Sequence, residues 1–188
     1  DYLPQFKDWL MCASIDGTGE IVEFIRKGIV WEQWLDNFKE GLAAPGGKDK
    51  MLFDLTITGP GMFSIKDLFD LSLELDVRIE TKIMFAFHPD IIFSPFAWPK
   101  HILVRKIDEL LEYIEPRATH KQATLINTLQ EMRNRPSFEE QYPEKFEQGK
   151  KNGKGFQDRL DSIRDEKITI SDIYKADDEL YEWWMNND

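Results

Sequence analysis

Short apolar runs alternate with stretches of helical periodicity over the first half of the chain. Three runs are bounded by turn residues, as strands are, and they lie at 9–15, 51–58 and 78–87. Between them, apolar residues recur at the spacing of helices buried on one face, which predicts helices at 20–27, 31–42 and 64–74. This alternation predicts an α/β fold with three parallel strands joined by right-handed crossovers.

Two local details sharpen this expectation. The first apolar run shows no polar alternation, which predicts a strand buried on both faces under helices, with Cys12 as a buried thiol. Ser64 precedes the third helix, so its side-chain oxygen is expected to cap the first-turn amides, with Asp67 near the positive end of that helix.

The second half of the chain changes character. An aromatic, proline-broken loop at 93–99 is followed by helical patterns at 100–114 and 120–134, with Thr119 as the N-cap of the latter. The polar stretch 138–154 predicts a surface loop with short helical content, and Phe156, Leu160 and Ile163 indicate one more helix. The sequence thus predicts a mostly helical C-terminal part after the α/β part.

Composition and charge narrow the possible partners. Thirty-five acidic against twenty-four basic side chains give a formal net charge of −11, which argues against general binding of nucleic acid or of an anionic membrane. No apolar run approaches the roughly 20 residues that cross a bilayer, and the single cysteine excludes a disulfide framework or a cysteine-rich metal site. We therefore expect a reducing, cytoplasmic setting.

The sharpest chemical signal lies where the first predicted strand ends. Ser14 and Asp16 are two apart on that strand, so their side chains project to one face and could hydrogen-bond the hydroxyls of a ribose. Gly17 and Gly19 permit close backbone approach, and Arg26 could pair with a carboxylate. The plainer interpretation is a turn at the strand end in which Asp16 caps the next helix.

A longer pattern contains these residues. From Ser14 to Asn37 the chain reads Ser-Ile-Asp-Gly-Thr-Gly-Glu, then Glu-Phe-Ile-Arg-Lys-Gly, then Trp-Glu-Gln-Trp-Leu-Asp-Asn, with short gaps between. In this pattern it resembles the fourth strand and following helices of radical S-adenosylmethionine enzymes, in the subgroup with a C-terminal twitch or SPASM-like extension. The resemblance continues more loosely through 55–58, 83–87, the loop ending in Trp98-Pro99-Lys100, and 156–184.

The resemblance implies a partial (β/α) barrel over 1–99, followed by a helical, twitch-like extension over 100–188. In that family a Cys-x3-Cys-x2-Cys loop after the first strand holds a [4Fe–4S] cluster, which cleaves S-adenosylmethionine to a 5′-deoxyadenosyl radical that abstracts hydrogen from substrate. This loop is absent here, so its ligands are expected upstream of Asp1 in a longer parent protein, and the chain alone is expected to be inactive.

The family's cofactor-binding positions carry over by motif. The resemblance implies that Ser14 and Asp16 lie near the ribose, Arg26 near the methionine carboxylate, and Thr58 near the ribose or adenine. Main-chain groups around His88 correspond to the region that meets adenine. Leu55 and Met62 depart from the family pattern around the fifth strand. His88, His101 and His120 are widely separated, so no metal ligand is expected among them.

The substrate class stays open between a peptide and a small molecule. A non-enzymatic alternative is an acidic α/β interaction module, in which a protein partner covers the open edge of the partial barrel. A different barrel enzyme is a weaker alternative, since the sequence offers no evident acid–base pair.

Overall fold

A computed structural model of the chain describes residues 5–6, 8–84, 91–163 and 168–186. Within them, strands β1 (Met11–Ile15), β2 (Met51–Ile57) and β3 (Arg78–Ile83) form one parallel sheet in the order β1–β2–β3. In the register, Ser14 of β1 pairs with Asp54 of β2, which pairs with Glu80 of β3. The predicted α/β class and the parallel strands are confirmed.

Helices connect the strands and form most of the rest of the described chain. The α-helices are α1 (Gly19–Ile25), α2 (Trp31–Ala43), α3 (Gly47–Lys50), α4 (Ile65–Glu74), α5 (Lys100–Ile114), α6 (Ala123–Asn134), α7 (Phe138–Gln141), α8 (Pro143–Ile163), α9 (Ile170–Tyr174) and α10 (Asp178–Met185). Short 3-10 helices lie at Pro60–Ser64, Ile91–Phe93, Pro95–Ala97 and His120–Gln122. The Thr119 cap is confirmed, since its hydroxyl accepts a hydrogen bond from the Lys121 N–H at 3.2 Å. Among the described residues, no helix combines the length and apolar character needed to cross a membrane.

The two faces of the sheet differ in chemistry. One face is apolar and lies under helices: Phe53 of β2 packs on Phe38 of α2 with ring centroids 4.7 Å apart, and the Thr81 hydroxyl of β3 lies 2.5 Å from that of Thr128 in α6. The opposite face is polar, and its cross-strand partners include Ser14, Asp54, Glu80, Thr56 and Lys82. The side chains of Lys82 and Asp54 form an ion pair of 2.6 Å on it.

The burial predicted for the first strand is wrong. Met11 and Cys12 of β1 are exposed, so Cys12 is not a buried thiol. Two causes combine: in the described part of the chain β1 has a partner strand on one side only, and Cys12 alternates with Ala13 onto the polar face of the sheet.

The loop predicted at 138–154 is also wrong, because α7 and α8 occupy that segment. Ser137 caps α7 by accepting a hydrogen bond from the Glu140 N–H. In α8, Phe146, Gly149, Gly153 and Gln157 are buried at helical spacing. The glycines lie on the packed face of the helix, where a small residue allows close approach, and they do not interrupt it.

A buried aromatic cluster joins the C-terminal helices to the sheet. Trp98 Nε1 donates a hydrogen bond to the Tyr174 hydroxyl at 3.2 Å, and the Tyr174 ring packs edge-on against Trp98 and Trp184 with centroids 5.7 Å apart in both pairs. Burial raises the pKa of Tyr174 well above its ordinary value, so the phenol stays neutral. A Cβ placed on Gly59, just beyond β2, would lie 3.1 Å from both polar atoms of the Trp98–Tyr174 pair.

Candidate functional site

Three of the predicted site residues meet at the carboxyl end of β1. Arg26 Nε donates to the carboxylate of Asp16, and its Nη2 donates to the Ser14 hydroxyl at 3.0 Å. Asp16 is 5% exposed, whereas the Arg26 side chain is 36% exposed. The expectation that Ser14 and Asp16 project to the same face is confirmed, since one guanidinium binds both.

The short segment between Ser14 and Arg26 explains how these two residues, twelve positions apart along the chain, make contact. β1 ends at Ile15, and α1 begins at Gly19 with φ +56°, a left-handed conformation that glycine adopts without steric cost. The seven-residue α1 then brings Arg26, at its C-terminal cap, back to the end of β1. Glu23 accepts a hydrogen bond from the Trp31 N–H at 2.9 Å, which fixes the turn from α1 into α2.

Asp16 does not cap the helix that follows β1, so the plainer interpretation of this residue is wrong. The N-cap position of α1 is Thr18, and the Asp16 carboxylate binds Arg26. The predicted capping role of Ser64 is also wrong: its side chain makes no cap hydrogen bond to α4. The Ser64 hydroxyl instead accepts from the Thr18 N–H at 3.2 Å and donates to the Gly61 carbonyl at 3.1 Å.

A cavity of about 490 Å³ lies at this end of the sheet. Its polar lining comes from Asp16, Arg26, Thr56 and Thr58, so the ends of two neighbouring parallel strands contribute to it. Its apolar lining consists of Ile25, Met84, Phe93, Phe156 and Leu160. The volume falls within the range of roughly 300–1,000 Å³ that small-molecule sites occupy.

Thr58, which the resemblance places near the ribose or adenine, lines this cavity and is 2% exposed. Its Oγ1 accepts a hydrogen bond from the Gly61 N–H at 3.0 Å, which leaves the hydroxyl proton to donate to another acceptor. The predicted third strand ends earlier than expected, at Ile83, and the assignment of His88 lies outside the described residues.

The contribution of α8 to the apolar side of the cavity was not predicted from the sequence. Phe156 and Leu160 form a pair at i and i+4 on α8, and this spacing marks a helical face without showing what it faces. Phe93 belongs to the aromatic loop, and its side chain does line the cavity, whereas Phe96 and Trp98 of that loop are buried in the core. Only the tertiary fold brings α8 to the end of the sheet.

The described part of the chain contains no cluster of side chains suited to bind a metal ion. No group of three or more His, Cys, Asp or Glu side chains there is placed to hold a metal ion. The whole sequence contains one cysteine, Cys12, which is exposed on β1. The donor set at the end of β1 is instead a carboxylate, a guanidinium and hydroxyls, which suit a polar organic ligand.

Comparison with known proteins finds no protein family whose model matches this chain, and no curated protein or solved structure with significant similarity to it.

Proposed function

We propose that this chain is the S-adenosylmethionine-binding part of a radical S-adenosylmethionine enzyme that acts on a peptide or small-molecule substrate. The main support for the proposal is that Arg26 hydrogen-bonds both Ser14 and Asp16 at the carboxyl end of β1. Asp16 and Arg26 line a cavity there, together with Thr58. Ligands of parallel α/β folds bind at this end of the strands, where the loops open over the sheet.

The architecture supports a partial barrel. In a (β/α) barrel, helices cover the outer face of the strands, and the inner face points toward the interior and the ligand. Here helices cover the face that contains Phe53, whereas the face that contains Ser14, Asp54 and Lys82 is polar and partly exposed. Residues 1–99 would form this partial barrel, and 100–188 the helical extension.

The residues present suit S-adenosylmethionine. The cavity offers an acceptor for ribose hydroxyls in Asp16, a cation for the carboxylate in Arg26, and an apolar wall that includes Met84 and Phe93. They do not suit the [4Fe–4S] cluster, since one cysteine cannot supply three thiolates. The cluster ligands would therefore come from outside this sequence, and the residues described here would bind and orient the cofactor.

Each residue has a distinct part in binding. The Asp16 carboxylate holds the guanidinium of Arg26, and the remaining N–H groups of Arg26 can take a ligand carboxylate. The hydroxyl of Thr58 can donate to a ribose or adenine acceptor. Phe93, Phe156 and Leu160 would keep water away from a reactive intermediate.

Arg26→Gln tests the proposal by calorimetric titration of the chain with S-adenosylmethionine. We expect the wild-type chain to bind and the variant to bind about 10-fold more weakly or worse, because a charge-assisted hydrogen bond to the carboxylate is lost. Arg117→Gln is the matched control: Arg117 also forms an ion pair, with Asp70 at 2.6 Å, and its side chain is 43% exposed, but it does not line the cavity. Equal affinity of both variants, or no binding by the wild type, would contradict the proposal.

The alternative of a non-enzymatic interaction module is favoured by one observation. Leu10, just before β1, and Met11 and Cys12 of β1 are exposed, and the outer edge of β1 has no partner strand within the described residues. Such an edge can pair with a strand of a partner protein. The two functions separate in the titration above, because an interaction module has no reason to bind S-adenosylmethionine through Arg26.

A further inference from the structure

We infer that Ser64 is a positioning residue of the ligand site, which joins the loop after β1 to the loop after β2 and so holds Asp16 and Thr58 in one arrangement. This role rests on the proposed function. Ser64 is 1% exposed and does not line the cavity, and its hydroxyl bonds Thr18 and Gly61, so its contribution would act through the two loops.

The hydrogen bonds of Ser64 form a chain between the two loops. Its Oγ accepts from the Thr18 N–H at 3.2 Å and donates to the Gly61 carbonyl at 3.1 Å. The Gly61 N–H in turn donates to the Thr58 hydroxyl at 3.0 Å. A continuous path therefore runs from the segment after Asp16, through Ser64, to a hydroxyl that lines the cavity.

The loop after β1 and the loop after β2 also pack tightly against each other at Gly17 and Gly61; this contact is called the junction. A Cβ on Gly17 would collide with the Ser64 hydroxyl, and a Cβ on Gly61 would collide with the Asp16 carbonyl oxygen. The Cβ on Gly61 would also lie 2.7 Å from Thr58 Oγ1. The two loops therefore approach each other through two glycines, and Ser64 supplies the polar contact at the point of closest approach.

This junction accounts for the absence of a helix cap at Ser64. A serine before a helix ordinarily accepts from a first-turn amide, but here the hydroxyl leaves its own helix and satisfies the amide of Thr18. With that hydroxyl removed, the amide of Thr18 would lose its bond to Ser64, and the Asp16 loop would gain freedom.

Ser64→Ala tests this role, with Ser72→Ala as the matched control. Ser72 lies in α4, is fully buried, donates to the Phe69 carbonyl three residues earlier at 2.7 Å, and accepts from Gln122 Nε2 at 3.2 Å. Both hydroxyls thus donate to the carbonyl at i−3 and accept from a distant segment. Of the two serines, Ser64 is the one that bonds the site loops. If both variants lose similar thermal stability but only Ser64→Ala binds the ligand more weakly, Ser64 positions the site and does not act through general packing.

We expect Ser64→Ala to bind S-adenosylmethionine about 5-fold more weakly than wild type, and Ser72→Ala to bind as wild type does. Independently of any ligand, hydrogen exchange should show slow exchange of the Thr18 amide in wild type and in Ser72→Ala, and faster exchange in Ser64→Ala. The Arg26 Nε–H resonance should also shift in Ser64→Ala alone.

Rapid exchange of the Thr18 amide in wild type, or an unchanged Arg26 resonance in Ser64→Ala, would overturn the inference without any ligand. Equal affinities for S-adenosylmethionine in the two serine variants would also overturn it. If the wild type does not bind S-adenosylmethionine, the proposed function fails, whereas the exchange and resonance measurements still decide whether Ser64 positions the loop.

Discussion

Replacing Asp16 by asparagine should lower the affinity of the chain for S-adenosylmethionine by about 30-fold or more. Asp16 is 5% exposed, binds Arg26 Nε and lines the cavity, so the change removes the charge that holds the guanidinium and turns one of the two acceptor oxygens into an NH2 donor. Without the carboxylate, Arg26 keeps its contact to Ser14 but loses the charge-assisted bond to residue 16. Titration calorimetry on the folded variant measures the loss.

The control for this prediction is Asp70→Asn. Asp70 accepts hydrogen bonds from Arg117 at 2.6 Å and from the Tyr113 hydroxyl at 2.7 Å, at a position that does not line the cavity. Its replacement should leave the affinity for S-adenosylmethionine unchanged. If Asp16→Asn binds as tightly as Asp70→Asn, Asp16 does not contact the ligand.

Replacing Trp98 by alanine should reduce the free energy of unfolding by about 3–5 kcal/mol, the usual cost of truncating a buried tryptophan. Trp98 is 1% exposed, packs against Phe63 with ring centroids 5.8 Å apart, and bonds Tyr174 through its indole N–H. The change would leave a large void and an unpaired buried hydroxyl on Tyr174. Denaturant unfolding followed by circular dichroism measures the effect.

Trp31→Ala provides the comparison, because Trp31 is half-buried and stacks on Trp34 with ring centroids 5.5 Å apart near the start of α2. We expect it to cost about 1 kcal/mol, since less apolar surface leaves water there. Equal losses in the two variants would show that Trp98 is not part of the core. Because Gly59, next to Thr58, packs against the Trp98–Tyr174 pair, Trp98→Ala should also loosen the ligand site.

The order of strands and helices could be predicted because local patterns determine it. The helices from Ile65 to Glu74 and from Lys100 to Ile114 begin and end where apolar spacing and turn residues predict. The grouping of Ser14 with Asp16 followed from the two-residue period of a strand, and Arg26 joined them because a short helix reverses the chain. These are short-range relations along the sequence.

The errors have long-range causes. The exposure of Cys12 depends on which strands flank β1, and one apolar run does not encode that. The first part of α8 was predicted as a loop because the segment is polar, although Gly149 and Gly153 lie on the packed face of the helix. Ser64 was assigned to its own helix, whereas its partner Thr18 lies 46 residues earlier in the chain. Pairings of this kind require the tertiary fold.

In the proposed function, the end of β1 and Arg26 bind the ribose and amino-acid parts of S-adenosylmethionine. The most direct measurement follows the Arg26 Nε–H resonance of the wild-type chain by nitrogen-15 NMR during titration with S-adenosylmethionine. We predict a saturable shift of this resonance, with the dissociation constant found by calorimetry, and no shift of the Arg117 resonance. A stationary Arg26 signal at saturating S-adenosylmethionine would contradict the claim.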